Sequence, residues 1–226
     1  ARIRARMART GESYTTARRH VAGPAEPAPV EHGGYRLRGG VFPESAVLAN
    51  VLAHHGVRSG GTELSEALVF GVSGGPGAGY ILWEFQRTDS RPVVIGFSSQ
   101  WQYHDRAPLA ALERLGVPAT VERTSGAVTA ARTLAAALDA GLPAVVWPDR
   151  YVTGYWHLPE FMDGRGGHPV VVHGRAGDRY RIDDRGLAPL SVPVDRFDAA
   201  RSRVGSYKNL MIAPRLVRLR PQELTA

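Results

Sequence analysis

The chain has 226 residues, 43% of them hydrophobic, so it is long enough for one well-buried core but not for two independent ones. It contains no cysteine, which excludes disulfides, thiolate catalysis and cysteine-ligated zinc sites, so any nucleophile is oxygen or nitrogen. The sequence has no apolar run of membrane-spanning length, and its N-terminus lacks the hydrophobic core of a signal peptide. We therefore expect a soluble cytoplasmic protein without a membrane partner.

The formal net charge of +7 is concentrated near the N-terminus. Six arginines and one glutamate fall within residues 1–21, and the rest of the chain is almost neutral. Apolar spacing predicts two short helices within 2–22, followed by a proline-rich linker at 24–29. The arginines are spread around both helices, so nucleic acid is not expected; an acidic protein partner and a solvated docking arm both stay open. We divide the chain into an arm with linker, 1–32, and a main domain, 33–226.

The main domain has helix patterns early and strand patterns late. Its first helix is predicted over 43–55, with Pro43 at the first helical position, and a second over 63–69 behind Thr62 as N-cap. A glycine-rich loop at 71–79 precedes the first strand. Later helices are predicted over 127–138 and 194–201, and strands over 80–83, 92–97, 119–122, 144–147, 168–173, 179–183 and 209–213. This order predicts an α+β domain whose sheet is mainly antiparallel.

Two neighbouring strands carry the residues of greatest chemical interest. Residues 167–174 have the sequence Gly-His-Pro-Val-Val-Val-His-Gly, and residues 180–184 have the sequence Tyr-Arg-Ile-Asp-Asp. Adjacent strands of this kind would bring a histidine and an acid to one cleft, as the base and orienter of a papain-like catalytic site. His168 and His173 are an odd number of positions apart and face opposite sides of a strand, so a shared metal ion is not expected.

Three segments together resemble the family built around the N-terminal domain of butirosin biosynthesis protein H. They are residues 42–52, residues 64–80 with the glycine-rich loop, and residues 167–174. The resemblance runs from about residue 33 to residue 213. It implies a papain-like fold related to the double-glycine-leader peptidases. It also implies acyl transfer, in which an aminoacyl group passes from a carrier protein to an amine.

The resemblance places the catalytic histidine at His168 and the acid at Asp184. Asp183 is the second choice for the acid, because alternation along the strand sends the two neighbouring carboxylates to opposite faces. The family's cysteine is matched by Pro43, which cannot act as a nucleophile. Covalent acyl-enzyme chemistry at the family's usual position is therefore not expected.

Glu44 and Ser45 follow Pro43 in the first turn of the helix. Glu44 is either a second general base, an anchor for a cationic amine, or a first-turn acid that complements the helix dipole. Ser45 is either a substitute nucleophile or a residue that packs locally, since a serine nucleophile needs a base within about 3 Å.

Substrate-binding residues are predicted in two places. Tyr151, Tyr155 and Trp156 form an aromatic cluster just before the histidine strand, where they would wall a pocket or simply pack. Gln100 is the candidate for an oxyanion-hole amide. The loop at 71–79 lacks the Gly-Lys-Ser/Thr ending of a phosphate-binding loop, so no nucleotide is expected. No metal or other cofactor is predicted.

Two functions follow from these residues and the resemblance. The first is an acyltransferase or amide-handling enzyme of secondary metabolism, which uses a His/Asp pair without a cysteine. Its partners would be an acyl carrier protein or a small-molecule amine acceptor. The second is a non-catalytic module whose retained cleft binds a peptide, a carrier-protein arm or a small metabolite. The sequence makes no prediction of oligomeric state.

Overall fold

The structure is a computed structural model that describes residues 2–11, 13–14, 30–99 and 103–215. Gln100, most of the second predicted arm helix and the proline-rich linker lie outside the described residues. The helices are α1 (Arg2–Thr10), α2 (Pro43–His54), α3 (Glu66–Val72), α4 (Arg106–Arg114), α5 (Ala127–Asp139), α6 (Arg150–Thr153) and α7 (Val194–Arg203). The strands are β1 (Val30–His32), β2 (Tyr35–Leu37), β3 (Arg58–Ser59), β4 (Thr62–Glu63), β5 (Pro76–Leu82), β6 (Val93–Ser98), β7 (Ala119–Glu122), β8 (Ala144–Val146), β9 (Val170–Ala176), β10 (Arg179–Asp183), β11 (Leu190–Pro193) and β12 (Met211–Pro214).

The central element is a six-stranded sheet with the strand order β11-β10-β9-β8-β12-β7. Every neighbouring pair in it is antiparallel. Most of the helices precede this sheet along the chain, as predicted. The α+β fold class is therefore confirmed.

Both faces of the sheet are covered, which explains why β8 and the first three residues of β9 are apolar at every position. Val145 and Val171 pack in one buried cluster with residues of α2. Their neighbours Val146 and Val170 belong to a second cluster with Leu134 of α5 and residues of α7. Because side chains alternate along a strand, a sheet packed on two sides needs apolar residues at odd and even positions alike.

The first helix of the main domain is more deeply buried than its one apolar face predicts. Every residue of α2 from Ser45 to Leu52 is buried, including the polar Asn50. The helix lies between the sheet and the α3–α4 pair, so small and apolar residues occupy most of its circumference. This position fixes the N-terminus of α2 against the rest of the domain.

The second helix starts later than predicted. Its N-cap is Ser65, whose Oγ accepts a hydrogen bond from the Leu68 backbone N–H at 3.1 Å, and Thr62 instead lies in β4. The helix continues to Val72, and β5 already begins at Pro76. The glycine-rich segment is therefore a tight turn and the start of a strand rather than a nine-residue loop.

Strands β5 and β6 form a separate two-stranded hairpin. The sequence predicted both strands, with β5 shorter at its start. Helices α4 and α6 and the small hairpins β1–β2 and β3–β4 were not predicted. None of the helices in the described part of the chain is long and apolar enough to cross a membrane.

Candidate active site

His168 lies at the entrance to β9 and is held by its backbone as well as its side chain. Its N–H donates a hydrogen bond to the carbonyl of Pro148 at 3.1 Å, and Pro169 separates it from the first residue of the strand. The side chain is almost fully buried. The imidazole therefore has little freedom to change its direction.

Asp184 follows the last residue of β10, which pairs with β9. The strands bring Nε2 of His168 to within 2.7 Å of Oδ1 of Asp184. The carboxylate accepts a hydrogen bond from an N–H at Nε2, so the contact favours the tautomer in which Nδ1 is unprotonated. A histidine held in this way is equipped to act as a general base through Nδ1.

The second oxygen of Asp184 is held by two aromatic side chains. Tyr155 donates its hydroxyl hydrogen to Oδ2 at 3.0 Å, and Trp156 donates its indole N–H to the same oxygen at 2.9 Å. The ring of Trp156 also meets His168 edge-on, with 5.4 Å between ring centroids. Burial, and then the Asp184 carboxylate, raise the pKa of Tyr155 well above its ordinary value, so the hydroxyl stays a donor.

These contacts give Tyr155 and Trp156 a more specific place than the sequence assigned to them. Both were predicted either to wall a substrate pocket or to pack, and their polar atoms hold the acid of the His/Asp pair. The third aromatic residue, Tyr151, is half-buried, and its backbone N–H donates to Asp149 at 2.7 Å. A contact of these residues with substrate stays a prediction.

Asp183 points away from the histidine, in the direction that strand alternation predicted. Its carboxylate accepts hydrogen bonds from Nδ2 of Asn50 at 3.0 Å, from the Tyr35 hydroxyl at 3.1 Å and from the Arg185 N–H at 2.9 Å. Burial raises its pKa. The residue therefore connects β10 with α2 and β2 and serves the fold.

Arg185 connects the acid to the segment that leads into α2. Its Nε lies 3.7 Å from Oδ1 of Asp184, and its NH1 donates to the carbonyl of Val41 at 2.8 Å. Val41 is two residues before Pro43, the first residue of α2. The His/Asp pair and the helix N-terminus therefore belong to one region of the molecule.

Glu44 lies in a small cleft at this helix N-terminus, with a volume of about 50 Å³. The cleft is lined by Phe42, Glu44, Phe70, Ser73, Gly75, Ser98, Ser99, Tyr103, His104 and Ala107. Most of its walls are aromatic rings, hydroxyl groups and backbone, and Glu44 supplies the carboxylate. This composition suits a group that carries a positive charge and apolar surface.

Tyr207 is a residue of this region that the sequence analysis missed. A Cβ atom at Gly167 would overlap its ring, and its ring centroid lies 3.8 Å from that of His104, a lining residue of the cleft. Burial, and then the charge of Glu44, raise the pKa of Tyr207 to about 12. It therefore lies between the Glu44 cleft and the residue next to His168. Its short 3-10 turn, Gly205–Tyr207, carries no sequence pattern that would have identified it.

Ser45 is buried, and its hydroxyl donates to the carbonyl of Phe42 at 3.4 Å. It lines a separate groove with Glu66 rather than the cleft that holds Glu44. This environment is that of a residue packed in the first turn of a helix. The hydrogen bond of its hydroxyl is to a backbone carbonyl and not to a base. A role of Ser45 as a substitute nucleophile stays a prediction.

No group of three or more metal-ligating side chains comes together within residues 2–11, 13–14, 30–99 and 103–215. His173, on the far side of β9 from His168, contacts the rings of Tyr35 and His32 at centroid distances of 4.4 and 5.0 Å. The two histidines therefore belong to different environments, as their spacing predicted.

Comparison with solved structures identifies the fold. A Bacillus anthracis protein described as a C39-like peptidase superposes with a TM-score of 0.50 at 15% identity, over 76% of this chain and 88% of that one. The peptidase domain of Streptococcus ComA, a bifunctional ABC transporter of a quorum-sensing pathway, gives a TM-score of 0.46 at 16% identity, over 83% and 98%. A double-glycine-motif protease from an AMS/PCAT transporter, solved with its leader peptide, gives 0.42 at 18% identity, over 84% and 99%.

The papain-like, peptidase-type fold is thereby confirmed. No curated protein shows significant sequence similarity to the chain. A family model does match, over residues 43–185, which begin at the first residue of α2 and end just after Asp184. Since this is more than half of the sequence, the chain belongs to the family described as butirosin biosynthesis protein H, N-terminal.

Proposed function

We propose that this domain is an acyltransferase or related amide-handling enzyme of secondary metabolism, with His168 as general base and Asp184 as its orienting acid. The observation that carries the proposal is the 2.7 Å contact between these residues, together with the two donors that hold the far oxygen of Asp184. Three directed hydrogen bonds on one buried carboxylate exceed what packing of a single histidine requires. Membership of the family supports the reaction class.

The proposed reaction joins a thioester donor to a primary amine, and His168 moves one proton. Nδ1 takes a proton from the amine as the nitrogen lone pair forms a bond to the thioester carbonyl carbon. The tetrahedral intermediate then collapses, the carbon–sulfur bond breaks, and the imidazolium returns the proton to the leaving thiolate. The products are an amide and a free thiol, so atoms and charge balance without an enzyme-bound acyl group.

Direct transfer suits a chain that has proline where its family has cysteine. The amine itself is the nucleophile, and a thioester carbonyl is reactive enough that a positioned base supplies about 10²- to 10⁴-fold acceleration. The donor in this proposal is an acyl group on a carrier protein or on a pantetheine-type thiol. Its acceptor is a small molecule with an amine.

Glu44 has a second role in the proposal, which is to bind the acceptor. Its carboxylate is the acidic group among the residues that line the cleft at the start of α2. It would hold an ammonium group of the acceptor in the cleft while another amine reacts, or hold the reacting amine until it loses a proton. In either case, replacing Glu44 raises KM for the amine more than it lowers kcat.

A thiol-release assay tests this function directly. The protein is mixed with an acyl-pantetheine thioester and a polyamine acceptor, and the free thiol is measured together with the amide mass. The chain contributes no thiol of its own because it has no cysteine. Amine-dependent release of thiol with formation of amide is expected. Release that does not depend on the amine would contradict transfer and indicate hydrolysis.

The second candidate function is a non-catalytic binding module, which Pro43 and the deep burial of His168 favour. In that case the cleft holds a peptide, a carrier-protein arm or a metabolite without converting it. The same samples distinguish the two functions: a rise in Tm on adding donor or acceptor, with no amide formed, would support binding alone.

A further inference from the structure

The hairpin formed by β5 and β6 exposes an unusually apolar face. Five large apolar side chains on one side of it are between 47% and 74% exposed. We call them the apolar hairpin face: Tyr80, Leu82, Val93, Ile95 and Phe97. None of these side chains is charged, and none of them is needed by the His/Asp site.

The strand register explains why these residues form one surface. Tyr80 lies opposite Ile95, and Leu82 lies opposite Val93. Directly opposed residues share a face, and alternation places Phe97 on the same side as Ile95 and Val93. The face is therefore continuous along both strands rather than a set of scattered residues.

An isolated two-stranded hairpin is marginally stable in water. Within the described residues, β5 and β6 pair only with each other, and both of their outer edges lack a further strand. Just beyond the end of β5, the rings of Trp83 and Phe85 stack with their centroids 6.3 Å apart, and each residue is 50% exposed. From typical side-chain areas, the apolar hairpin face alone presents about 500 Å² of apolar surface. That is at the upper end of the roughly 300–600 Å² of the largest patch on a monomer.

We propose that the apolar hairpin face packs against the same face of a second copy of this chain, about a two-fold axis. The charges at the end of the hairpin favour this occupant. Residues 84–91 carry Glu84 and Asp89 against Arg87 and Arg91, so the rim has equal numbers of both signs. A two-fold axis that runs parallel to the strands brings such a rim opposite itself, where the arginines of each copy meet the acids of the other.

The same charges argue against other occupants. Anionic membranes attract surfaces with a clear excess of lysine or arginine around the apolar residues, and the hairpin has no such excess of positive charge. An acidic carrier protein likewise needs a basic patch. An uncharged apolar centre inside a polar rim is the usual anatomy of a protein–protein interface, and homodimer interfaces are the more apolar ones.

The interface would lie next to the candidate site, because the hairpin base forms part of it. Gly75, Ser98 and Ser99 line the cleft that holds Glu44. Pairing of two hairpins would therefore hold this wall of the cleft in place. The proposal does not rest on acyl transfer and applies equally to a binding module.

Molecular mass in solution, measured by sedimentation velocity over a range of concentrations, is the first test. We expect the full chain to be a dimer, and Phe97→Glu to raise the dimer Kd by about a hundredfold or more. The matched control is Phe161→Glu, since Phe161 is 71% exposed and Phe97 is 74% exposed. The proposal would be overturned if the wild-type chain is still monomeric at about 100 μM, which is 100-fold above a micromolar dimer Kd. Equal loss of dimer in both variants would overturn it as well.

Crosslinking tests the same contact with four of the five side chains of the apolar hairpin face unchanged. Because the chain has no cysteine, Tyr80→Cys and the control Val128→Cys each have a single thiol. A short bismaleimide is expected to join two copies of Tyr80→Cys at low protein concentration and to leave Val128→Cys uncoupled, although Val128 is 83% exposed. Equal crosslinking of both variants, or binding of the hairpin to anionic vesicles that Phe97→Glu abolishes, would count against a second copy.

Discussion

The Nε2 atom of His168 lies 2.7 Å from Oδ1 of Asp184, which leaves Nδ1 as the ring nitrogen that does not contact the acid. The carboxylate that sets this tautomer is itself held through Oδ2 by Tyr155 and Trp156. The direction of the imidazole therefore depends on three other side chains, which come from two segments of the chain. Each part of this arrangement has a measurable consequence.

Asp184→Asn is expected to lower kcat by about 10²- to 10⁴-fold, because an amide can donate to Nε2 and so favours the wrong tautomer. Asp183→Asn provides the matched control one position earlier. It is expected to change stability through its bonds to Asn50 and Tyr35 while kcat stays within a few fold. Thiol release and urea unfolding of both variants measure the two effects. Equal loss of activity in the two variants would show that the acid was assigned wrongly.

Tyr155→Phe and Trp156→Phe each remove one hydrogen bond from the buried carboxylate of Asp184. Loss of a donor to a charged acceptor costs about 1–3 kcal/mol, so we expect each variant to lose about ten- to a hundredfold in kcat. The pH dependence of kcat should shift as well, because the loss of a donor on Asp184 changes how strongly its carboxylate stabilises the imidazolium of His168. If the two aromatics only wall a pocket, KM changes and the pH profile does not.

Pro43→Cys tests whether the start of α2 still faces the histidine. A thiol there would combine the field of the helix N-terminus with a neighbouring imidazolium, both of which lower the pKa of a cysteine. Alkylation by iodoacetamide at pH 6 should be at least about tenfold faster than for Val41→Cys, a control that is 85% exposed. Adding His168→Asn should remove the advantage. Slow alkylation at a rate that does not change with His168→Asn would mean that the start of α2 does not face the histidine.

His173 predicts how stability depends on pH. Burial foremost, then the charges of His32, Arg181 and His54, lower its pKa to about 3. In the unfolded chain His173 therefore binds a proton near pH 6.5, and in the folded chain it does not. The stability that the neutral ring contributes is present above pH 6.5 and is lost as the pH falls towards 3.

His173→Phe keeps the ring beside Tyr35 and removes this titration. When the pH falls from 7.5 to 5, the free energy of unfolding of the variant should decrease by about 1–2 kcal/mol less than that of wild type, after allowance for partial solvent screening. Urea unfolding at the two pH values measures the difference, with the exposed His157→Gln as control. Parallel loss in wild type and His173→Phe would refute the assignment.

The choice of His168 and Asp184 came from the family resemblance, and local rules predicted that their strands are neighbours. Two adjacent strands place His168 and Asp184 at neighbouring ends, and alternation separates Asp184 from Asp183. The start of α3 was misplaced because Thr62 and Ser65 are both acceptable N-caps, and only tertiary contacts decide between them. Strand β7 was predicted at its observed bounds, since its apolar pattern is flanked by clear turn residues.

Other parts of the site depend on contacts that no local pattern contains. The bonds from Tyr155 and Trp156 to Asp184 span 29 and 28 residues, so their aromatic character indicated a pocket wall rather than these partners. Tyr207 reaches Gly167 from a short turn forty residues later in the chain. The exposure of the β5–β6 face could not be predicted either, because apolar alternation does not say which face of a strand pair is covered.

The most direct test of the proposed function is the rate of amide formation by wild type and by His168→Ala, from the same thioester and amine. Circular dichroism and Tm first establish that the variant is folded. We predict amine-dependent turnover by wild type and a loss of about 10²-fold or more in His168→Ala. Full activity in His168→Ala would contradict a histidine base, and binding without turnover in both proteins would identify a domain that retains the cleft for binding alone.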